Sequence, residues 1–600
     1  MRAQSGVRTY TVPDAESRVV IRAVQETPAA VTAESLPPAL RHGCGAATVA
    51  AESVFFVVAR PDDVSELELL YRSFEESETY APHVVIATSS AAAVAAVTAL
   101  KRLELSGADS TGGEGWCGVS VLDGDGAGAA GWGPLLVAFA PAAVVAVAVP
   151  ENAPVIAAAR LALDSDESLR DGTAILALPP ADLPGARWAA TLVPAALASW
   201  SRPNFGVSVV THNRPTSLKR LLGSLLAAHY YGDQVSVDFY VENTADDETL
   251  RVVEAFSAQW GARGPVQVHF RVLKGGLIRA VTESYYPRDE HHHGVLLEDD
   301  IEVAPLWYAW AKLAALTYRY GAAEDFARDL YGVSLYTPRV NELAPTRYRY
   351  DSNKKMAAKI ARRSGGKAAV ATAVTAAAQT MPYLHETPCS WGAVYFAGFW
   401  TEYRAYLAAR LTEDHVSAAV RKSRSNGWKT SWKRFFLEMA YQRRYYMLYP
   451  NYRDQASLAT NWLEPGEHIL QQAMAAGGAV VRGDERHKPA DYTVPLLAGD
   501  ADLVGLLLDR RLPRLSELPR MDILDLFVDE LDAKVPPWAT IGLPRPAVLA
   551  TEAGAKPPPP QEPPEPLTEP TAEWSKQYDA VLKAMLSEEA KRAYVMYKLK

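Results

Sequence analysis

Between Asn204 and Thr460, short unbroken apolar runs alternate with amphipathic helical stretches, and few folds accept that pattern. The runs FGVSVVT, VSVDFYVEN, VQVHFRVL and GVLLEDD read as strands, and FGVSVVT and GVLL stay largely apolar along their length instead of alternating in and out. Strands read this way when both faces are buried, as in a mainly parallel sheet crossed by helices on each side. Leucines at 218, 221, 222, 225 and 226 fall at helical spacing between the first two runs, and a further helix is expected from near Asp246. The expected fold class is therefore α/β.

In open sheets of this kind, ligands sit beyond the carboxyl ends of the strands. The fourth run ends in Glu298, Asp299 and Asp300, with Glu302 and Pro305 just after. Three adjacent acids at a buried strand end are costly without a cation. Mg²⁺ or Mn²⁺ resolves this, taking one or two carboxylates and completing its shell with diphosphate oxygens and water. The competing reading is an acidic turn capping the helix that starts near Pro305.

At 600 residues the chain exceeds a single core. Residues 1–50 read as a loosely structured lead-in. Residues 51–200 read as a smaller α/β or β-rich module, strand-like at VFFVVAR and HVVIATSS and then alternating short strands and helices through GVSVL, LLVAFA, VVAVAVP and APVIAAARLAL. The catalytic pattern is assigned to 201–480, and 481–545 to an extension packed on it. Residues 546–572 form a proline-rich linker. Residues 573–600 read as an amphipathic helix, with Trp574, Tyr578, Val581, Leu582 and Met585 on one stripe for its own domain or a protein partner. A net charge of −9 argues against a dedicated nucleic-acid binder. No signal peptide or membrane span is visible, so a soluble protein is expected, cytoplasmic or, if processed, lumenal. Cys44, Cys117 and Cys389 show neither disulfide nor metal-ligand spacing.

The string LEDDIEVAP resembles the metal-binding motif of GT-A glycosyltransferases, most closely the N-acetylglucosaminyltransferase I type. VSVVTHNRP resembles the first strand of family 2 glycosyltransferases, and YGVSLY (331–336) the strand after the motif. SWGAVYF and SNGWKTSWKRF are similar to plant and algal family-2-like proteins. The resemblance spans 204–470 and implies a Rossmann-like, mixed, mainly parallel GT-A sheet. It also implies a UDP-sugar donor, a glycan or glycoconjugate acceptor, and Mn²⁺ or Mg²⁺.

Carried over residue by residue, the resemblance makes Asp300 the direct metal ligand, with Glu298 and Asp299 on the nucleotide or ribose and the metal's waters. Thr211 and Arg214 would bracket the nucleotide, and Glu242 would reach uracil or ribose. The turn Lys274-Gly275-Gly276-Leu277, with Arg279 one turn on, would lie against the donor. His468 is a candidate second metal or phosphate contact. Trp391 and Gly392 suit an acceptor-sugar platform.

The family's catalytic base belongs to an Asp-Asp-Trp string, and here Lys429-Thr430-Ser431-Trp432 stands instead. The next acid, Glu438, is the nominee for an inverting reaction. His291, His292 and His293 read as a solvated loop, with a metal-binding triplet as the alternative, and 352–378 reads as an insertion. The missing acid keeps a second reading open: a GT-A-fold protein recruited as a non-catalytic structural or assembly subunit.

Overall fold

The computed structural model describes residues 8–10, 21–23, 52–88, 96, 119–123, 129–321, 327–341, 351, 355–356, 381–412, 420, 423–427, 430–462, 464, 479–480, 486–487, 493–497 and 512–521. His468, nearly all of 352–378, the proline-rich stretch and the C-terminal amphipathic stretch lie outside these residues.

The first sheet comprises β1 (Arg8–Tyr10), β2 (Ile21–Ala23), β3 (Glu52–Val58), β4 (Tyr80–Thr88), β5 (Val119–Asp123), β6 (Ala143–Val147) and β7 (Ala174–Leu178). Its order is β1-β2-β5-β4-β3-β6-β7, and β3 to β7 all pair in parallel. This settles the sequence's alternative of an α/β or β-rich module in favour of α/β. Most of LLVAFA lies in the helix Ala129–Phe139, between β5 and β6. A short apolar run does not tell strand from buried helix by periodicity. Here Phe139 closes against Phe55 and His83, covering one face of the sheet.

The second sheet is built from β8 (Asn204–Thr211), β9 (Ser236–Val241), β10 (Val266–Phe270), β11 (His292–Glu298), β13 (Leu330–Ser334), β14 (Tyr383–His385), β15 (Ala393–Tyr395), β16 (Tyr446–Tyr449) and β20 (Arg520–Met521). The order is β10-β9-β8-β11-β15-β13-β16-β14-β20. The first four run parallel, and β15 inserts antiparallel between β11 and β13. Beside the sheet, β12 (Ile301–Val303) pairs with β17 (Ala459–Asn461), and β18 (Ala479–Val480) pairs with β19 (Arg486–His487). The helix Pro215–Leu226 buries Leu218, Leu221, Leu222 and Leu225, the expected stripe, and Asp246 caps the helix Asp247–Trp260 through the Thr249 amide.

The histidine triplet departs from expectation. His292 and His293 belong to β11 and are buried. Tyr285 and Phe396 pack on them, and burial pushes His292 down to about 4 and His293 well below the usual imidazole value. Both are therefore neutral core side chains at physiological pH.

The two sheets meet across a polar-edged aromatic seam. Trp188 stacks on Trp200 at 5.0 Å between centroids, and Tyr231 meets both edge-on. Asp182 accepts the Tyr231 amide at 2.7 Å and lies 2.7 Å from His229 Nδ1. Lys312, fully buried, pairs with Asp233 and sits 3.9 Å from the Trp200 ring centroid. One continuous apolar core runs from β3 through this seam to β16. Among the described residues, no helix is long and apolar enough to cross a membrane.

Candidate functional site

Because β8, β9, β10 and β11 run parallel, their carboxyl ends share one edge. Thr211, Glu242 and Glu298 stand there at the ends of β8, β9 and β11. The antiparallel β15 begins at the same edge. Leu296 is paired with Ala393, and a Cβ on Gly392, just before β15, would lie 3.6 Å from Leu297 Cδ2, so Gly392 stands by the end of β11. A strand-end cluster of this kind is the ligand position that the parallel topology favours.

Asp299 is fully buried. Its Oδ2 accepts the Thr211 hydroxyl at 2.9 Å and the His212 amide at 3.3 Å, and its Oδ1 lies 2.6 Å from Arg214 Nη2. Where the resemblance implies contact with nucleotide or a metal's waters, Asp299 is here engaged by groups of the protein itself. Its carboxylate is turned inward and ties β11 to the end of β8, and Thr211 is engaged with it. Asp300 is partly exposed; Arg214 Nη1 donates to its Oδ2 at 3.2 Å and Asn461 Nδ2 to its Oδ1 at 3.1 Å. Arg214 therefore spans two carboxylates.

The cluster carries more negative charge than one guanidinium offsets. Burial, and then the charge of Asp300, raise Glu298 to about 8, against the opposing pull of Arg214 and Lys433. Burial also raises Asp299 to about 6 and pushes Asp300 above the usual carboxylate range. Hard oxygen donors, partly exposed at Glu298 and Asp300 and short of positive charge, fit a divalent cation such as Mn²⁺ or Mg²⁺. Among the described residues, no three His, Cys, Asp or Glu side chains form a group that could hold a metal ion by themselves.

Glu242 accepts the amide of Gly275 at 3.2 Å, fastening the glycine turn to the end of β9. Gly276 sits at φ +68, and a Cβ on Gly275 would come within 2.7 Å of Arg271 Nη1. The turn therefore needs its glycines locally. Arg279 is half-buried one turn on, and its carbonyl accepts from Arg271 Nη2 at 2.9 Å. Gly392 is at φ +88, where a Cβ would meet Ala459 Cβ at 2.9 Å. Trp391 is half-buried, edge-on to Tyr336 at 4.9 Å, with Lys433 Nζ 5.0 Å from its ring centroid.

Glu438 does not join this group. It lies on the helix Trp432–Arg443 with 1% exposure, accepting from Arg410 Nε at 3.0 Å and from the Tyr406 hydroxyl at 3.4 Å. Its carboxylate closes the contact with the helix Ala397–Leu411, so the nomination as base is corrected on geometry. Lys433, at the start of the same helix, is the residue that reaches Trp391 and is felt by Glu298.

Asn461, Trp462 and Glu464 add a further side to the cluster. Besides the Asn461 bond, the Trp462 amide donates to the Asp300 carbonyl at 2.9 Å and Trp462 Nε1 to Glu302 at 2.8 Å. Arg220 lies 4.6 Å from the Trp462 ring centroid and pairs with Glu464, which also accepts from Ser217. The signal for this side is the polar string around Asn461, which at the level of sequence points only to His468.

A family model described as the SPBC1E8.03c C-terminal domain matches residues 215–333. No curated protein matches this chain. Similar solved structures include the mannosyltransferase PcManGT from Pyrobaculum calidifontis in complex with GDP-Man and Mn²⁺, at 12% identity and TM-score 0.25, covering 44% of this chain and 59% of that one. S. aureus TarS 1-349 is similar at 13% identity and TM-score 0.27, over 42% and 59% of the two chains. GalNAc-T7 with UDP, GalNAc and Mn²⁺ is similar at 14% identity and TM-score 0.24, over 42% of each. This chain thus spans less than two thirds of the length of each of these structures.

Proposed function

We propose that this chain is a GT-A-type glycosyltransferase that moves a sugar from a UDP-sugar to a hydroxyl of a glycan or glycoconjugate, with Mn²⁺ or Mg²⁺. The observation that carries the reading is a shared edge. Glu298 and Asp300, Arg214, the Glu242-anchored glycine turn, and Trp391 with Gly392 all lie where parallel strands end. Asp300, with Glu298 beside it, would hold the ion. A bound divalent cation supplies counter-charge to the departing nucleoside diphosphate. Arg214 offers a planar fork suited to phosphate oxygens. The Gly275–Gly276 turn lets backbone come close to a donor, and Trp391 gives an apolar wall for the acceptor side.

A second reading, the same fold serving as a non-catalytic subunit, is favoured by one observation: the nominated base Glu438 is held in a buried ion pair. Calorimetry with UDP and UDP-sugars, in Mn²⁺ and in EDTA, tests the donor site. Binding should require the metal and vanish in Asp300→Ala while the circular dichroism spectrum is kept. Equal binding in EDTA would overturn the metal assignment. Metal-dependent binding without nucleoside diphosphate release across an acceptor screen would favour the subunit.

A further inference from the structure

Arg214 has a role that phosphate recognition alone does not describe. It comes from the turn after β8, where Asn213 takes φ 44 and the helix Pro215–Leu226 starts at once, so its backbone is fixed beside the acids. Its two terminal nitrogens divide between Asp299 Oδ1 and Asp300 Oδ2. Asn461 holds the other oxygen of Asp300. Both oxygens of the acid best placed to hold a cation are thus engaged by the protein itself.

A guanidinium and a divalent ion on one carboxylate repel each other, and the repulsion is strong where water is scarce. Something must draw Arg214 aside before Asp300 can serve the ion, and the group whose geometry best matches a guanidinium fork is a phosphate. We infer that Arg214 is an electrostatic latch on Asp300, released by the diphosphate of the nucleotide, so that the ion and the nucleotide bind as a pair rather than independently. The inference rests on the function proposed above and deepens it. Arg214 is here a positioning residue, acting on the ion through Asp300. Reciprocity is then required, since whatever factor UDP contributes to ion affinity, the ion contributes to UDP affinity.

The test uses full-length protein and Mn²⁺, with free Mn²⁺ monitored by electron paramagnetic resonance. In the absence of nucleotide, wild type should bind Mn²⁺ weakly, and Arg214→Met about tenfold more tightly, because the competing cation is gone. Arg214→Lys, which keeps the charge and guards against loss of fold around buried Asp299, should stay close to wild type. With UDP present, wild-type Mn²⁺ affinity should rise by about tenfold or more, and the rise should shrink in Arg214→Met. A folded Arg214→Met that binds Mn²⁺ no more tightly than wild type without UDP would overturn the latch while leaving the donor site standing. Wild type that binds no Mn²⁺ even with UDP would overturn the proposed function along with it.

Discussion

Replacing Glu438 or its partner Arg410 separates a structural carboxylate from a catalytic one. Glu438 is 1% exposed, and Arg410 approaches it at 3.0 Å from a side chain only 14% exposed. Removing the cation from such a pair strands a buried charge, which costs about 3–5 kcal/mol in typical cases; the partial exposure of Arg410 places Arg410→Met near the lower end, about 3 kcal/mol. Glu438→Gln keeps the volume and the contact with Tyr406 but loses the charge, and should destabilise by about 1–3 kcal/mol. The double variant Arg410→Met with Glu438→Leu should recover much of the loss, because two apolar side chains replace the pair. Urea unfolding monitored by tryptophan fluorescence gives the midpoints. Calorimetric UDP binding in Mn²⁺ should be unchanged in every variant that folds. If Glu438→Gln and Arg410→Met unfolded at the wild-type midpoint, the structural account of this pair would be refuted. A Glu438→Gln protein of unchanged stability but without sugar transfer would restore the carboxylate to the chemistry.

Three further outcomes are expected. Glu298 is raised from 4.5 to about 8, so the folded metal-free protein holds this proton more tightly than the unfolded chain does. The stability it contributes is complete below the unfolded value and is lost as pH rises through about 8, so the urea midpoint in EDTA should fall across that window, whereas Mn²⁺-dependent UDP binding should strengthen across it. Asn461→Leu removes the donor to Asp300 Oδ1 and should weaken Mn²⁺-dependent UDP binding by roughly 10–100-fold; unchanged affinity by calorimetry would show that Asp300 needs no such support. Gly392→Ala places a Cβ on a left-handed residue against Ala459 and should lower stability by about 1–3 kcal/mol, read as a drop in melting temperature.

The acid-bearing edge was legible because its signal is local. An apolar run that ends in carboxylates names both a strand and its mouth, and the pairing of β8, β9 and β11 comes from parallel crossovers. The features that were not legible came from far along the chain. Asn461 lies 161 residues from Asp300, and Glu464 lies 244 from Arg220, so neither pairing leaves a pattern in the sequence. Glu438 was misplaced for a helical reason. Lys433 faces the site, and five residues at about 100° each put Glu438 roughly 140° around the helix and turned toward Arg410. The histidines of β11 misled because polar letters suggested solvent, whereas Tyr285 and Phe396 supply cover from other elements.

The seam of Trp188, Trp200, Tyr231 and Lys312 makes the two sheets thermodynamic partners. A fragment cut at residue 201 would bare the ring of Tyr231 and leave Lys312 without the Trp200 face, so the acid-bearing sheet alone should aggregate or soften. The same seam works in the opposite direction. Nucleotide held at the carboxyl edge of β8 and β11 should slow amide hydrogen exchange in β3 and β6. The first sheet would then register an occupied site as rigidity.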